Sequence, residues 1–212
     1  MQRFREQIAG TPHIWVDAAT GAFFQNTPFH AVADMLRQSF HWGGDQAVEQ
    51  RLAILEAALA LAGIELNEAV PLVASLLELP LGDRYPRSPA TPDQQRKRLL
   101  AALVSWTLGT AKVQPLVIAT EDLRWADPST LELIQLLVEQ CATARLLLLY
   151  TARPEFRVHW SPRSHHTQIT LTRLSSRDVR KMVEAVVADR SWSEDTITAI
   201  VERTSGVPLF VE

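Results

Sequence analysis

The hydrophobic positions of the chain form two short unbroken runs, set among longer stretches with helical spacing. The runs cover residues 116–119 and 146–149 and contain no polar position. Such runs are typical of strands buried on both faces inside a parallel sheet. A helical pattern over residues 131–140 lies between them and places its leucines on one face. Strand and helix alternating with short connections predict a parallel, doubly wound sheet with right-handed crossovers.

The same pattern extends over the rest of the chain. Strands are predicted near residues 14–18, 115–121, 145–151 and 168–171, and together they should form one parallel sheet. Helices are predicted at residues 2–9, 28–36, 45–62, 67–79, 92–110, 131–140, 179–187 and 193–204. The two helices within residues 45–79 are expected to be an insertion on one side of the sheet.

Composition narrows the class of protein without identifying a function. Of the 212 residues, 47% are hydrophobic and 21% are charged, an ordinary globular balance, and a net charge of −3 does not indicate a nucleic-acid surface. The single cysteine, Cys141, excludes an internal disulfide and suits a reducing compartment, so a cytoplasmic protein is expected. No apolar run approaches the ~18–20 residues that a membrane-spanning helix needs.

Two adjacent carboxylates, Glu121 and Asp122, end the first apolar run. Acidic side chains at the carboxyl end of a parallel strand lie where open α/β sheets bind ligands. One carboxylate there can hold Mg²⁺, usually through water, and the other can orient or deprotonate an attacking water. The simpler interpretation is a buried strand that leaves the core through a charged turn.

The second run also ends in polar groups, Thr151 and Arg153. If the two strands are neighbours, these side chains emerge at the same sheet edge as Glu121 and Asp122. A guanidinium there can pair with a phosphate oxygen. Alternatively, Arg153 caps the strand or pairs with Glu155. Two strands that end in such groups at the same edge are harder to explain as independent surface turns. Their joint occurrence favours a metal-binding role for Glu121 and Asp122 and a phosphate contact for Arg153.

Three segments recur in this order in one known family: residues 116–130, residues 151–156 and residues 205–212. They resemble the predicted ATPases of the AAA+/STAND signal-transduction class, close to the origin-recognition-like ATPase domain. The resemblance covers nearly the whole chain and is most specific from Pro115 onward. It implies an α/β fold of the P-loop NTPase type, with a parallel sheet, flanking helices and the start of a helical lid.

The resemblance also implies roles for individual residues. Glu121 and Asp122 match the Walker B pair, catalytic residues that also serve as magnesium ligands. Arg153 matches the first sensor on the following strand. Gly206 and Pro208 match the Gly-x-Pro motif of the lid and would contact the nucleotide.

The resemblance further implies an organisation. Residues 1–172 would be a partial nucleotide-binding core and residues 173–212 the start of the lid subdomain. The partners would be other domains of a longer polypeptide, such as a nucleotide cyclase or regulatory domain and helical repeats. No membrane partner is expected, and a nucleic-acid partner is not indicated by the charge balance. Arg124 stands where the family often has histidine, a position expected to be modulatory.

The family's phosphate-binding loop, G-x-x-x-x-G-K-[ST], has no match in the sequence. Gly109 to Lys112 has the wrong spacing and lies at the end of a predicted helix. In the family, the loop and the strand before it precede the helix that residues 2–9 resemble, and that strand lies centrally in the sheet. Its absence would leave a gap between the strands at Leu146 and Ile169. ATP and Mg²⁺ are therefore the cofactors of the complete domain, and this chain alone need hold neither.

Two functional classes follow. One is a fragment of an ATP-hydrolysing switch, incompetent for turnover by itself, in which γ-phosphate contacts order the lid. The other is a non-catalytic regulatory or interaction remnant of the same fold. A zinc site at His165 and His166, with His159 nearby, is the weaker interpretation of a polar loop.

Overall fold

A computed structural model describes residues 1–42, 46–85, 90–158, 160–186 and 193–208. The chain divides into two compact units, Met1–Pro162 and Arg163–Glu212. The first unit contains a sheet with flanking helices, and the second contains two helices. The functional division expected between residues 172 and 173 stays a prediction. His159 and the end of the C-terminal motif, residues 209–212, lie outside the described residues.

Three parallel strands form the sheet: β1 (Ile14–Ala19), β2 (Leu116–Glu121) and β3 (Leu146–Tyr150). Their order is β1-β2-β3, so β2 is central. Ala19 lies opposite Glu121, and Thr120 lies opposite Tyr150. The carboxyl ends of all three strands therefore meet at one edge. The predicted parallel sheet is confirmed for these three strands.

The fourth predicted strand is wrong. Residues 168–172 are described and form no strand. Ile169 and Leu171, the apolar positions of that prediction, are 78% and 88% exposed. A strand is stable only when a neighbour pairs with its backbone groups. The neighbour expected for this segment is the strand that precedes the family's phosphate-binding loop, and the sequence does not contain it. Alternating character alone did not supply that neighbour.

The described helices match the predicted ones to within a few residues, as element ends usually do. In the first unit they are α1 (Gln2–Ile8), α2 (His30–Ser39), α3 (Val48–Leu61), α4 (Leu66–Leu76), α5 (Pro92–Val113) and α6 (Pro128–Gln140). The second unit contains α7 (Ser176–Val186) and α8 (Glu194–Thr204). Short 3₁₀ turns occupy Ala22–Phe24, Leu123–Trp125 and Cys141–Thr143. None of the helices in the described ranges is long and apolar enough to cross a membrane.

The longest helix, α5, begins at a capping box. The Thr91 side chain accepts the backbone N–H of Gln94, and the Gln94 side chain accepts the backbone N–H of Thr91. Pro92 occupies the first turn, where its missing N–H costs nothing. Thr91 and Gln94 thus satisfy two backbone donors that would otherwise be unpaired, and Pro92 removes a third, so α5 begins with a complete cap.

The five helices from α2 through α6 share one hydrophobic core with the sheet face that carries Ile118 and Leu148. Helices α3 and α4 pack on each other and on α5. A Cβ built on Gly109 would lie 2.2 Å from the Ala62 carbonyl oxygen, at the end of α3. The absence of a side chain at Gly109 therefore allows the two helices to approach. It serves packing, and the surrounding segment is helical, not a phosphate-binding loop.

Gly109→Ala should destabilise the first unit by roughly 1–3 kcal/mol, because the added methyl group meets backbone that cannot rotate away. The midpoint of urea unfolding measures the loss. Gly10→Ala is the matched control, since a Cβ there meets nothing within 4 Å. The control should be neutral or slightly stabilising, and equal effects of the two substitutions would contradict the close approach at Gly109.

A single buried carboxylate, that of Asp127, connects the starts of two helices. Its Oδ1 accepts the backbone N–H groups of Ser129 and Thr130 at 3.0 Å each, which caps α6. The same oxygen accepts the backbone N–H of Phe29 at 2.9 Å, immediately before α2. Its Oδ2 accepts the Thr130 hydroxyl at 2.5 Å. Asp127 is 2% exposed, so these bonds replace the water it loses.

Asp127→Ala should cost at least about 3 kcal/mol of unfolding free energy, because several buried N–H groups lose their acceptor together. Urea unfolding followed by circular dichroism measures the change. Thr91→Ala, which removes the exposed cap of α5, is the comparison and should cost only about 1 kcal/mol. A loss at Asp127 no larger than that at Thr91 would contradict its role in joining α2 and α6.

Candidate functional site

The carboxyl edge of the sheet places Glu121 and Asp122 side by side at the end of β2. Glu121 is exposed, and the Asp122 side chain is 37% exposed. Asp122 has a φ of 51°, in the left-handed region that few residues other than glycine adopt. This conformation turns the chain sharply out of the strand into the Leu123–Trp125 turn. The predicted position of Glu121 and Asp122 at the carboxyl end of a parallel strand is confirmed. Their predicted role in metal binding and catalysis stays a prediction.

Two threonines from the neighbouring strands hold this turn. Thr20, which follows β1, places its hydroxyl 2.7 Å from the Glu121 carbonyl oxygen and 2.9 Å from that of Asp122. Thr151, which follows β3, accepts the Asp122 N–H on its hydroxyl at 3.0 Å. Its carbonyl oxygen accepts the Leu123 N–H at 2.9 Å. Backbone strain at Asp122 is therefore supported from both sides, as strained residues near functional sites commonly are.

The Asp122 carboxylate already has a cationic neighbour, Arg124. The Arg124 Nε lies 3.5 Å from Asp122 Oδ1, and the guanidinium carbon lies 4.0 Å from the centre of the Trp125 ring. That Nε is buried and has no hydrogen-bond partner among the described residues, so its contact with Asp122 is electrostatic. Gln25 donates to the Arg124 carbonyl oxygen at 3.1 Å. The cationic partner of Asp122 is therefore Arg124. This is the residue that stands where the family often has histidine.

Arg153 lies at the same edge, three residues beyond the end of β3. Its carbonyl oxygen accepts the N–H of Phe156, and Phe156 packs on the cluster around Leu123 and Trp160. The Arg153 side chain is exposed and forms no ion pair with Asp122 or Glu155 within the described ranges. The pairing of Arg153 with Glu155, considered as an alternative, is therefore absent, while the sensor role stays a prediction.

Gly206 and Pro208 belong to the second unit. Gly206 has a φ of +75°, and a Cβ there would lie 2.4 Å from the Leu174 carbonyl oxygen. The Leu174 N–H donates to the Gly206 carbonyl oxygen at 2.8 Å. These contacts fix the chain after α8 to the chain before α7, which accounts for glycine at this position. Pro208 is exposed. Nucleotide contact by either residue stays a prediction.

No cluster of three or more metal-ligating side chains occurs in the described part of the chain. The rings of His165 and His166 are 5.4 Å apart, and burial with nearby positive charge lowers the pKa of His166. Burial raises the pKa of the Cys141 thiol, which keeps it protonated and unreactive. Glu121 and Asp122 therefore remain the groups best suited to a hard cation. They offer the oxygen donors that Mg²⁺ prefers, and both side chains are at least partly exposed.

Two important residues of this edge were not identified from the sequence. Thr20 gave no signal, because its role depends on the register that places Ala19 beside Glu121. Asp127 was not predicted to link two helices, although its Asp-Pro-Ser-Thr context is a strong capping signal. Its bond to Phe29 spans 98 residues and could not be read from local sequence.

Comparison with known proteins places the chain in a family. An uncharacterized protein of Rhizobium meliloti (strain 1021) is 28% identical over 151 residues, and the match covers 67% of this chain and 14% of that protein. The chain thus spans about a seventh of the length of the curated relative it matches. No solved structure matches. The family model described as AAA ATPase domain matches residues 1–149, which include β1, β2, the Asp122 turn and most of β3. The chain therefore belongs to the AAA ATPase domain family.

Proposed function

We propose that the chain is the core of an ATP-binding switch module of the STAND signal-transduction class. Glu121 and Asp122 are its Walker B pair. The observation that carries this assignment is the strained Asp122 turn at the end of a central parallel strand, held by Thr20 and Thr151. A charged surface turn does not require such support, whereas a carboxylate that must keep a fixed direction does.

The donor chemistry of the two carboxylates fits the roles proposed for them. Asp122 would hold Mg²⁺, and Glu121, exposed at the same edge, would orient the attacking water and accept its proton. Bound Mg²⁺ offsets negative charge on the phosphates. Arg153 lies beyond the adjacent strand and would contact the γ-phosphate from that side. Thr20 and Thr151 are positioning residues, since their hydroxyls hydrogen-bond the backbone of the Walker B turn.

We further propose that the phosphate-binding loop belongs to another part of a longer polypeptide. None of the 212 residues supplies the G-x-x-x-x-G-K-[ST] motif. In the described chain, β3 pairs with β2 on one edge and with no strand on the other. Leu147 of β3 is 42% exposed. A strand followed by that loop, added beside β3, would complete the sheet and direct the loop to the edge where Asp122 lies.

The remaining features of the proposal concern signalling. The segment around Gly206 and Pro208 would be the start of a lid that nucleotide orders, as phosphate contacts order other switch segments. The partners would be the cyclase or regulatory domain and the helical repeats of the same polypeptide. The setting would be the cytoplasm, where ATP is available and Cys141 stays reduced. Neither membrane nor nucleic acid would be a partner.

The isolated 212-residue chain should show no ATP turnover above background and no measurable heat of Mg-ATP binding. Without the phosphate loop it lacks several charge-assisted bonds, each worth roughly 1.5–3 kcal/mol, so affinity falls by orders of magnitude. A longer polypeptide that includes a G-x-x-x-x-G-K-[ST] loop should bind Mg-ATP. In that polypeptide Asp122→Asn should lower kcat more than it lowers affinity. Calorimetry and phosphate release measure the two effects.

Asp83→Asn, in an exposed turn, serves as the matched control and should change neither quantity. Tight Mg-ATP binding by the 212-residue chain would contradict the proposal, because it requires a phosphate site other than the proposed one. If the longer polypeptide folds but neither binds nor hydrolyses ATP, the module is the non-catalytic regulatory remnant.

Arg124→Ala in the longer polypeptide should lower the Mg²⁺ concentration needed for half-maximal ATP binding, because it removes a cation that competes for Asp122. Partly exposed ion pairs contribute at most about 1 kcal/mol, so the shift should be about fivefold or less. Lys97→Ala breaks the exposed pair with Asp93 and should leave the Mg²⁺ requirement unchanged. An increased requirement in Arg124→Ala would contradict the competition.

A further inference from the structure

A cavity of about 280 Å³ lies inside the first unit, between the sheet and the helices that cover it. The sheet contributes Val16, Ile118 and Leu148 to its wall, and the helices contribute Leu36, Trp106 and Leu133. Protein interiors rarely leave voids much larger than a water molecule. An apolar space of this size beside the core is therefore unusual.

The burial of the central strand shows that this space is open to solvent. Val117 and Ala119 are fully buried, although they point away from the helices. Ile118, between them, points toward the helices and is only half-buried. A central parallel strand is normally covered on both faces. Leu116 and Thr120, which line the cavity from the same face as Ile118, are buried, so the incomplete cover is local to Ile118.

The wall of the cavity is formed mainly by apolar side chains. No charged residue and no histidine lines it. Three of its hydroxyls already donate within the protein: Ser39 to the Met35 carbonyl oxygen, Thr107 to that of Leu103, and Thr130 to the Asp127 carboxylate. The described buried polar atoms that lack a partner belong to residues outside this wall. Water entering the cavity would therefore find few bonding partners, and a charged molecule would find no counterion.

We propose that this cavity is a binding site for a small, uncharged, apolar molecule. An apolar cavity of about 150 Å³ accepts benzene, so 280 Å³ suits a two-ring aromatic compound or a medium-length hydrocarbon chain. Leu61 lines the wall and is 70% exposed, which places the entrance beside the end of α3.

The site is separate from the carboxylates proposed to act on ATP, and its existence does not depend on that function. It nevertheless touches the same strand. Thr120 contributes to the wall and directly precedes Glu121. Its carbonyl oxygen accepts the Thr151 N–H, beside the Asp122 turn. An apolar ligand would thus pack against the strand that carries the Walker B pair.

Fluorescence titration of the 212-residue chain with 6-propionyl-2-(dimethylamino)naphthalene tests the proposal. The emission of this uncharged two-ring probe shifts to the blue in apolar surroundings. Binding should saturate, and Mg-ATP should not compete. Ala58 lines the cavity on α3, so Ala58→Leu should weaken binding about tenfold or more by filling the space. Thr107→Leu, from the facing helix α5, should do the same. Ala57→Leu adds the same side chain at an exposed position of α3 and should change affinity less than twofold.

Thermal unfolding distinguishes a real cavity from one that closes in solution. Both filling variants should unfold cooperatively at or above the midpoint of the original chain, because added methylene groups replace empty space. Lower midpoints for both variants would show that the space is closed in solution and would overturn the proposal. Absence of saturable binding to the original chain, or equal weakening by Ala57→Leu and Ala58→Leu, would overturn it as well.

Discussion

The buried carboxylate of Asp127 is the interaction on which the first unit most depends. A charge that is 2% exposed is stable only when its hydrogen bonds replace water, and here its partners are the starts of α6 and α2. Residues 98 positions apart are thereby fixed to one another. Because α6 follows β2 and α2 follows β1, this bond also fixes both helices relative to the edge where Asp122 lies.

The strained turn at Asp122 can persist because that edge is rigid. Thr20 and Thr151 reach it from the two neighbouring strands, so the turn is held by the register of the sheet and not by its own sequence. The cost of a left-handed non-glycine residue, of order 1–3 kcal/mol, must be offset by such contacts. Arg124 then remains near Asp122 through charge and through stacking on Trp125.

The density of packing around α5 differs from one part of the helix to the next. At Gly109 two helices approach so closely that a methyl group has no room. A short distance along the same helix, Trp106 and Thr107 border an empty apolar space. Close packing on one side of α5 fixes its distance from the end of α3, whereas the cavity leaves Ile118 of β2 only half-buried. A ligand in that space would supply the missing contacts.

The sequence by itself determined most of the helices and strands and the place of Glu121 and Asp122 at the end of a strand. Continuous apolar runs predicted β2 and β3, helical spacing predicted α5 and α6, and parallel pairing required Glu121, Asp122 and Thr151 to share an edge. These inferences are reliable because strand burial and crossover geometry constrain any such chain. The motif at residues 116–130 also indicated the family.

Only the tertiary structure decided which side chains meet. The failed strand at residues 168–172 had the right alternation and no neighbour, since pairing is a property of two segments. Arg124, not Arg153, pairs with Asp122, because the turn after β2 directs the nearer guanidinium to it. Thr20, Phe29 and the cavity depend on contacts between residues far apart in sequence. Local pattern carries no information about such contacts, whereas the packing of helices on the sheet fixes them.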